Sequence, residues 1–107
     1  MRKFHHIGLI TTEEKPGENY FESLKVYGTS PDDDPNKIEW VRFTGEGPLD
    51  GTAVSQGPHI SYQVDDIEAE LGDRQCVAGP LEVVPGVRIA YFWEDEILVE
   101  YLEVKEA

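Results

Sequence analysis

Between Phe4 and Ile10 apolar residues crowd into seven positions and stop at Thr11-Thr12, which predicts a strand over 4–10. Pro16-Gly17 then opens a segment in which Tyr20, Phe21 and Leu24 fall on one side of a helical wheel, predicting a short helix over 18–25. Lys25-Val26-Tyr27 reads as a brief strand, and Pro31-Asp32-Asp33-Asp34-Pro35-Asn36 as a loop. Residues 37–44 alternate and are rich in Ile, Trp, Val and Phe, so they form a strand. The stretch 45–58 carries four glycines and two prolines and reads as a linker.

Beyond it, 59–64 is again a strand. Asp65-Asp66-Ile67-Glu68 fits a helix start with Asp65 as N-cap and Glu68 as its reciprocal partner, and Gly72 ends that helix. Gly79-Pro80 and Pro85-Gly86 bracket the apolar run 81–84. Strands 87–93 and 97–104 flank Glu94-Asp95-Glu96, a tight hairpin. The order β-α-β(β) followed by β-α-β-β-β predicts an α+β fold dominated by sheet, not a doubly wound parallel one.

The two halves echo each other. His6-Ile7-Gly8-Leu9-Ile10 opens the first and His59-Ile60-Ser61-Tyr62-Gln63 the second; Ile38-Glu39-Trp40-Val41 closes the first and Val99-Glu100-Tyr101-Leu102 the second. Strand parity gives His59 the same face as Ser61 and Gln63, with Ile60, Tyr62 and Val64 turned to the helix. By the same rule His6 and Gly8 face a groove, Gly8 leaving room there, while Ile7 and Leu9 pack under the first helix. Glu100 falls between Leu98 and Leu102, where a carboxylate is costly to bury without a compensating cation or hydrogen bond. Two imidazoles and two carboxylates aimed from four strands into one groove form a metal site by type, so His6, Glu39, His59 and Glu100 are the candidate ligands of a divalent ion such as Zn, Ni, Co, Mn or Fe.

Composition narrows the function. The chain has 107 residues, one domain's worth, with 39% apolar positions. Its longest apolar run is far too short for a membrane span. Nine basic residues against 22 acidic ones give −13, which excludes nucleic acid or an anionic membrane as the main partner. The N-terminus has no apolar signal core and Cys76 is the sole cysteine, so the expected location is cytoplasmic and no internal disulfide or cysteine-cluster zinc site is available. Cys76 reads as inert packing.

At these residues the chain resembles the vicinal oxygen chelate superfamily, which includes glyoxalase I, methylmalonyl-CoA epimerase, extradiol dioxygenases and the fosfomycin and bleomycin resistance proteins. The phrases that carry the likeness are His5-His6-Ile7-Gly8-Leu9-Ile10, Gly57-Pro58-His59-Ile60-Ser61-Tyr62-Gln63-Val64-Asp65-Asp66-Ile67, Arg88-Ile89-Ala90-Tyr91-Phe92 and Leu98-Val99-Glu100-Tyr101. The resemblance implies two βαβββ modules, here 1–50 and 57–107, pairing into one curved, mostly antiparallel sheet that cups a divalent metal. It places His6, Glu39, His59 and Glu100 in the four ligand slots. The first module is shorter than the family's, cut between its helix and Glu39, and Glu94-Asp95-Glu96 replaces the usual Asp-Pro-Asp-Gly turn before the last strand.

The implied activity is that of a metal-dependent lyase or isomerase, moving a proton next to a chelated oxygen of a small substrate, with Glu100 or Glu39 as the base. The alternative is a metal-free binding module of the bleomycin-resistance type, for which the acidic charge speaks and the two retained histidines do not. Arg88, a cation on a strand near the groove, is the candidate substrate-binding residue. His5 is a second choice as ligand in place of His6. Trp40, Tyr91, Phe92 and Trp93 read as core or rim packing. A homodimer is expected, since the shortened first module leaves a cup that a second copy could complete.

Overall fold

The computed structural model describes residues 1–105, so the last two positions of the second module fall outside the described residues. Among the described residues eight strands are present: β1 (Lys3–Ile10), β2 (Asn19–Phe21), β3 (Val26–Gly28), β4 (Ile38–Phe43), β5 (His59–Val64), β6 (Cys76–Val84), β7 (Val87–Glu94) and β8 (Ile97–Val104). They are accompanied by one α-helix, α1 (Ile67–Leu71), and two single 3-10 turns. The strands join one sheet in the order β2-β3-β4-β1-β5-β8-β7-β6. Each half of the chain therefore supplies four adjacent strands, and the halves meet where β1 runs antiparallel to β5.

Within each half the first strand lies parallel to the last: β1 to β4, and β5 to β8. The remaining neighbours are antiparallel; β2–β3, β6–β7 and β7–β8 are joined by short turns, and β3–β4 by the longer loop 29–37 that carries the first 3-10 turn. Val84 and Val87 pair across Pro85-Gly86, with Gly86 at φ 85, a position that favours glycine. Glu94 and Ile97 pair across Asp95-Glu96, the tight hairpin expected there. The mostly antiparallel α+β sheet is thus as the sequence predicts.

The sheet curls, and alternation sorts its residues into two cores. On the inner side Val26, Val41, Ile89, Tyr91 and Leu98 gather with Leu24, Leu49 and Val54. On the outer side Val64, Ala90, Phe92, Val99 and Tyr101 pack beneath Ile67 and Leu71 of α1. Each such burial contributes roughly 1.5–3 kcal/mol per large side chain.

Three expectations need correction. No helix spans 18–25; the segment is the β2–β3 hairpin, with Phe21 paired to Val26 and Lys25 at φ 52 closing the four-residue turn. Two aromatics beside each other suit a pleated strand as well as a helical stripe, and eight residues are too few to sustain a lone helix. The first half thus keeps its strands and lacks the helix, so Ile7 and Leu9 lie half-buried with no helix over them. The N-cap of α1 is Asp66, whose side chain accepts from the Ala69 N–H, and Glu68 turns to Arg88 instead of back to the cap. The segment 45–58 links the halves as expected, and it is packed: Leu49 and Val54 are buried in the inner core, and a Cβ on Gly47 would meet the Leu24 carbonyl oxygen.

Candidate metal centre

His6, Glu39, His59 and Glu100 sit on the four central strands β1, β4, β5 and β8. Register does the positioning. Gly8 lies opposite Glu39 on one side and His59 on the other, while Ser61 lies between His6 and Glu100. Each histidine therefore faces a small residue two positions beyond the histidine of the other half. The fit is tight, since a Cβ on Gly8 would fall 2.1 Å from His59 Cε1.

The donor atoms of His6, His59 and Glu100 lie within 4.8 Å of one another. His6 Nε2 stands 3.3 Å from Glu100 Oε1, and His59 Nε2 stands 3.7 Å from the same oxygen. Glu39 reaches the group from one side, its Oε1 3.3 Å from His6 Nε2. The three central residues are 3–5% exposed, whereas the Glu39 side chain keeps 22% of its surface open. Arg88 stands apart. Its guanidinium grips Glu68 at 2.7 and 2.8 Å and Glu103 at 3.0 and 3.1 Å, and it is not among the cavity's lining residues. It ties β7 and β8 to α1, because Glu103 also accepts the Ile67 N–H at 2.9 Å.

Several buried polar atoms have no hydrogen-bond partner: His6 Nε2, both nitrogens of His59, Ser61 Oγ and Glu100 Oε1. Orphaned buried groups are uncommon and costly, and three of these face each other. Ligands about 2.1 Å from one ion stand roughly 3.0–3.4 Å apart at octahedral to tetrahedral angles, which the observed spacings approach. A His/His/carboxylate set is also chemically right for a divalent transition metal. The residues present therefore fit such an ion.

Electrostatics agree. Burial pushes the His59 imidazole below its ordinary value, toward the neutral form that ligates metal. Burial opposes charge on His6, but the close Glu39 and Glu100 carboxylates raise it. Burial likewise works against the Glu100 carboxylate, yet His59, His6 and the Tyr91 hydroxyl hold it below the usual range.

Two residues join the site unexpectedly. Tyr91 donates from its hydroxyl to Glu100 Oε2 at 2.6 Å, inside the protein, which fixes the carboxylate with Oε1 toward the histidines. The hairpin could have shown this: around a two-residue turn at 95–96, Tyr91 and Glu100 must pair, as they do. His5 is brought to the cavity by a bulge in β1 between Phe4 and His6, and its Nδ1 lies 2.7 Å from His6 Nδ1. A metal held at His6 Nε2 would put the shared proton on His6 Nδ1, with His5 accepting it. Strict alternation, which points His5 to the outer side, misses the bulge.

The centre opens on a cavity of about 180 Å³ whose remaining walls are apolar, among them Val41, Phe43, Val54, Ile89 and Leu102. Cys76 is half-buried with its thiol pushed up by burial, as suits an unreactive packing residue. No helix among the described residues is long and apolar enough to cross a membrane.

No family model matches the sequence, and no curated protein matches it. Solved structures do. A hypothetical protein from Bacillus halodurans C-125 superposes with a TM-score of 0.62 at 18% identity, covering 99% of this chain and 96% of that one. Methylmalonyl-CoA epimerase from Mycobacterium tuberculosis superposes with a TM-score of 0.61 at 12% identity, covering 97% and 89%. With two four-stranded halves joined edge to edge and a His/His/Glu cluster on the central strands, the chain has the vicinal oxygen chelate fold.

Proposed function

We propose that the protein is a metal-dependent lyase or isomerase that transfers a proton at a carbon beside an oxygen of a small substrate. The observation that supports this best is the buried trio His6, His59 and Glu100 with its facing atoms unpartnered. These three would hold the ion, with Glu39 as a fourth, exchangeable ligand. When bound, a divalent ion supplies Lewis acidity that stabilises negative charge on the substrate oxygen. The chain's own residues divide the rest. Glu100 is clamped by Tyr91 and is suited to stay a ligand. Glu39, more open and tied only to His6, is suited to leave and take the proton. His5 keeps the His6 ring in the tautomer that frees Nε2.

The experiment is calorimetric titration with Zn, Ni, Co, Mn and Fe(II), then solvent-deuterium exchange into α-hydroxy-ketone, hemithioacetal and acyl-CoA panels. Glu39→Gln should keep metal and lose about 10²–10⁴-fold in exchange rate. Metal binding should weaken as the pH falls and protons compete for the histidines. Absence of metal binding would transfer the case to a metal-free binding module, for which the apolar walls of the cavity speak. The homodimer is checked by sedimentation across a range of protein concentrations.

A further inference from the structure

The cavity's charge pattern carries an inference about substrate class, and it rests on the metal reading above. Histidines and carboxylates cluster in one region of the wall, and no lysine or arginine lines it. Elsewhere the chain offers little to hold an anion. Seven of its nine cations are paired with its own carboxylates, and the net charge is −13. Long-range repulsion therefore acts against any phosphate or carboxylate group that is not itself at the metal. The rest of the wall is aliphatic and aromatic, from Val41 and Phe43 on β4 through Val54 to Ile89 and Leu102 on β7 and β8.

Size sharpens this. At about 180 Å³ the space is below the roughly 300–1,000 Å³ of sites for drug-sized ligands. It is a little larger than the roughly 150 Å³ apolar cavity that accommodates benzene. Leu49 and Val54 of the connecting segment are buried in the same core, so the chain itself takes up part of the cup.

We infer that the substrate is a small molecule with an apolar body of about six to eight carbons, an oxygen-bearing end, and no anionic tail. The oxygens face His6, His59 and Glu100, and the body lies against Val41, Phe43, Ile89 and Leu102. A phosphate-bearing carrier such as a coenzyme A thioester does not match this wall.

The test uses three α-hydroxy-ketones that differ only in body: 2-hydroxyacetophenone, dihydroxyacetone and dihydroxyacetone phosphate. The full chain is loaded with Co(II), and the visible absorption band of the metal is followed as each is added. 2-Hydroxyacetophenone should perturb the band at a concentration at least about tenfold below dihydroxyacetone, from burial of its ring, and further still below the phosphate. Leu102→Lys should narrow or reverse the gap between the aromatic ketone and the phosphate. Val83→Lys, at a half-buried position of the same wall, makes the same measurement should the first variant not fold. A Co(II) band that responds to the phosphate as readily as to the aromatic ketone overturns the substrate class while leaving the metal reading intact. Failure of Co(II) to bind at all removes the metal reading, and the substrate class with it.

Discussion

The two halves of the sheet cover their outer faces in different ways. In the second half α1 lays Ile67 and Leu71 over Val64, Phe92, Val99 and Tyr101, and all six are at most 6% exposed. The first half has no helix. Its outer side chains Ile7, Leu9, Ile38 and Trp40 are half-buried. Single long side chains lie over the aromatics instead: Lys15 Nζ is 4.6 Å from the Trp40 ring centre, and the Arg42 guanidinium is 4.1 Å from that of Tyr27, held by Glu18. Yet both halves present a histidine and a glutamate on equivalent inner positions. The inner face of a sheet is set by strand register, which needs no helix; the outer layer can be thinned without moving the site.

That comparison breaks most visibly in the core under α1. Ile67→Ala removes a fully buried side chain and should cost about 2–5 kcal/mol. Leu9→Ala, on the uncovered face, should cost about half as much, since its surface is already partly in water. Urea unfolding of the two variants measures the difference. Equal losses would mean that the first half buries its outer face against something other than its own chain.

The pairing of each histidine with a small residue of the opposite half gives the next test. Gly8→Ala drives a Cβ into the His59 ring and should weaken metal binding by about 10–100-fold. Ser61→Ala at the matching position deletes a buried hydroxyl that has no partner, and should leave stability and metal affinity nearly unchanged. Calorimetric titration with Zn or Co(II) reads both. A loss at Ser61 as large as at Gly8 would give the hydroxyl a part in the site.

Much of this was legible in the sequence for a definite reason. The paired His-Ile and aliphatic-Glu-aromatic phrases sit on strands, where a period of two fixes the facing of every residue, so the inner placement of His6, His59 and Glu100 and the room left by Gly8 could be read directly. The first-half hairpin was hidden because Tyr20, Phe21 and Leu24 satisfy helical and strand patterns alike; only their pairing with Tyr27 and Val26 decides between them. His5 was hidden by a bulge, which shifts parity by one without marking the composition. Arg88 was misdirected by its neighbours: it alternates with Ile89 toward the outer side, where two carboxylates distant in sequence, Glu68 and Glu103, take up its charge.

Those carboxylates supply a smaller effect on the covered half. Glu103 is 1% exposed, and the Arg88 guanidinium holds its carboxyl below the ordinary range. A depressed folded value stabilises above the unfolded pKa of about 4.3, and that contribution is lost as pH falls through the lower folded value. Glu103→Gln should therefore cost about 1–3 kcal/mol at neutral pH, with the gap to the native protein closing as the pH is taken down below about 4. Unfolding midpoints at stepped pH provide the measurement, and a gap that does not change with pH would reduce the Arg88 tie to packing.

The smallest effect is expected on the uncovered half, and it asks whether the long side chains there act as a cover. Lys15 lies over Trp40 while its ammonium is 3.9 Å from the well-exposed Glu13. An exposed ion pair of that length contributes little, about 0–1 kcal/mol. The contact with the indole adds roughly 0.5–1 kcal/mol for a cation at an exposed aromatic face, and the methylene stem shields part of the ring from water. Lys15→Met keeps the stem and removes the charge; Lys15→Ala removes both. If the stem is what covers Trp40, the methionine variant should unfold close to the native protein and the alanine variant about 0.5–1 kcal/mol below it, with greater quenching of indole fluorescence by acrylamide. Trp93, more than half exposed at the other end of the chain, supplies a constant background to that quenching, so the change between variants belongs to Trp40. Matching losses in the two variants would assign the effect to the charge, and no change in either would leave the first half's outer face as open to water as a single sheet layer can be.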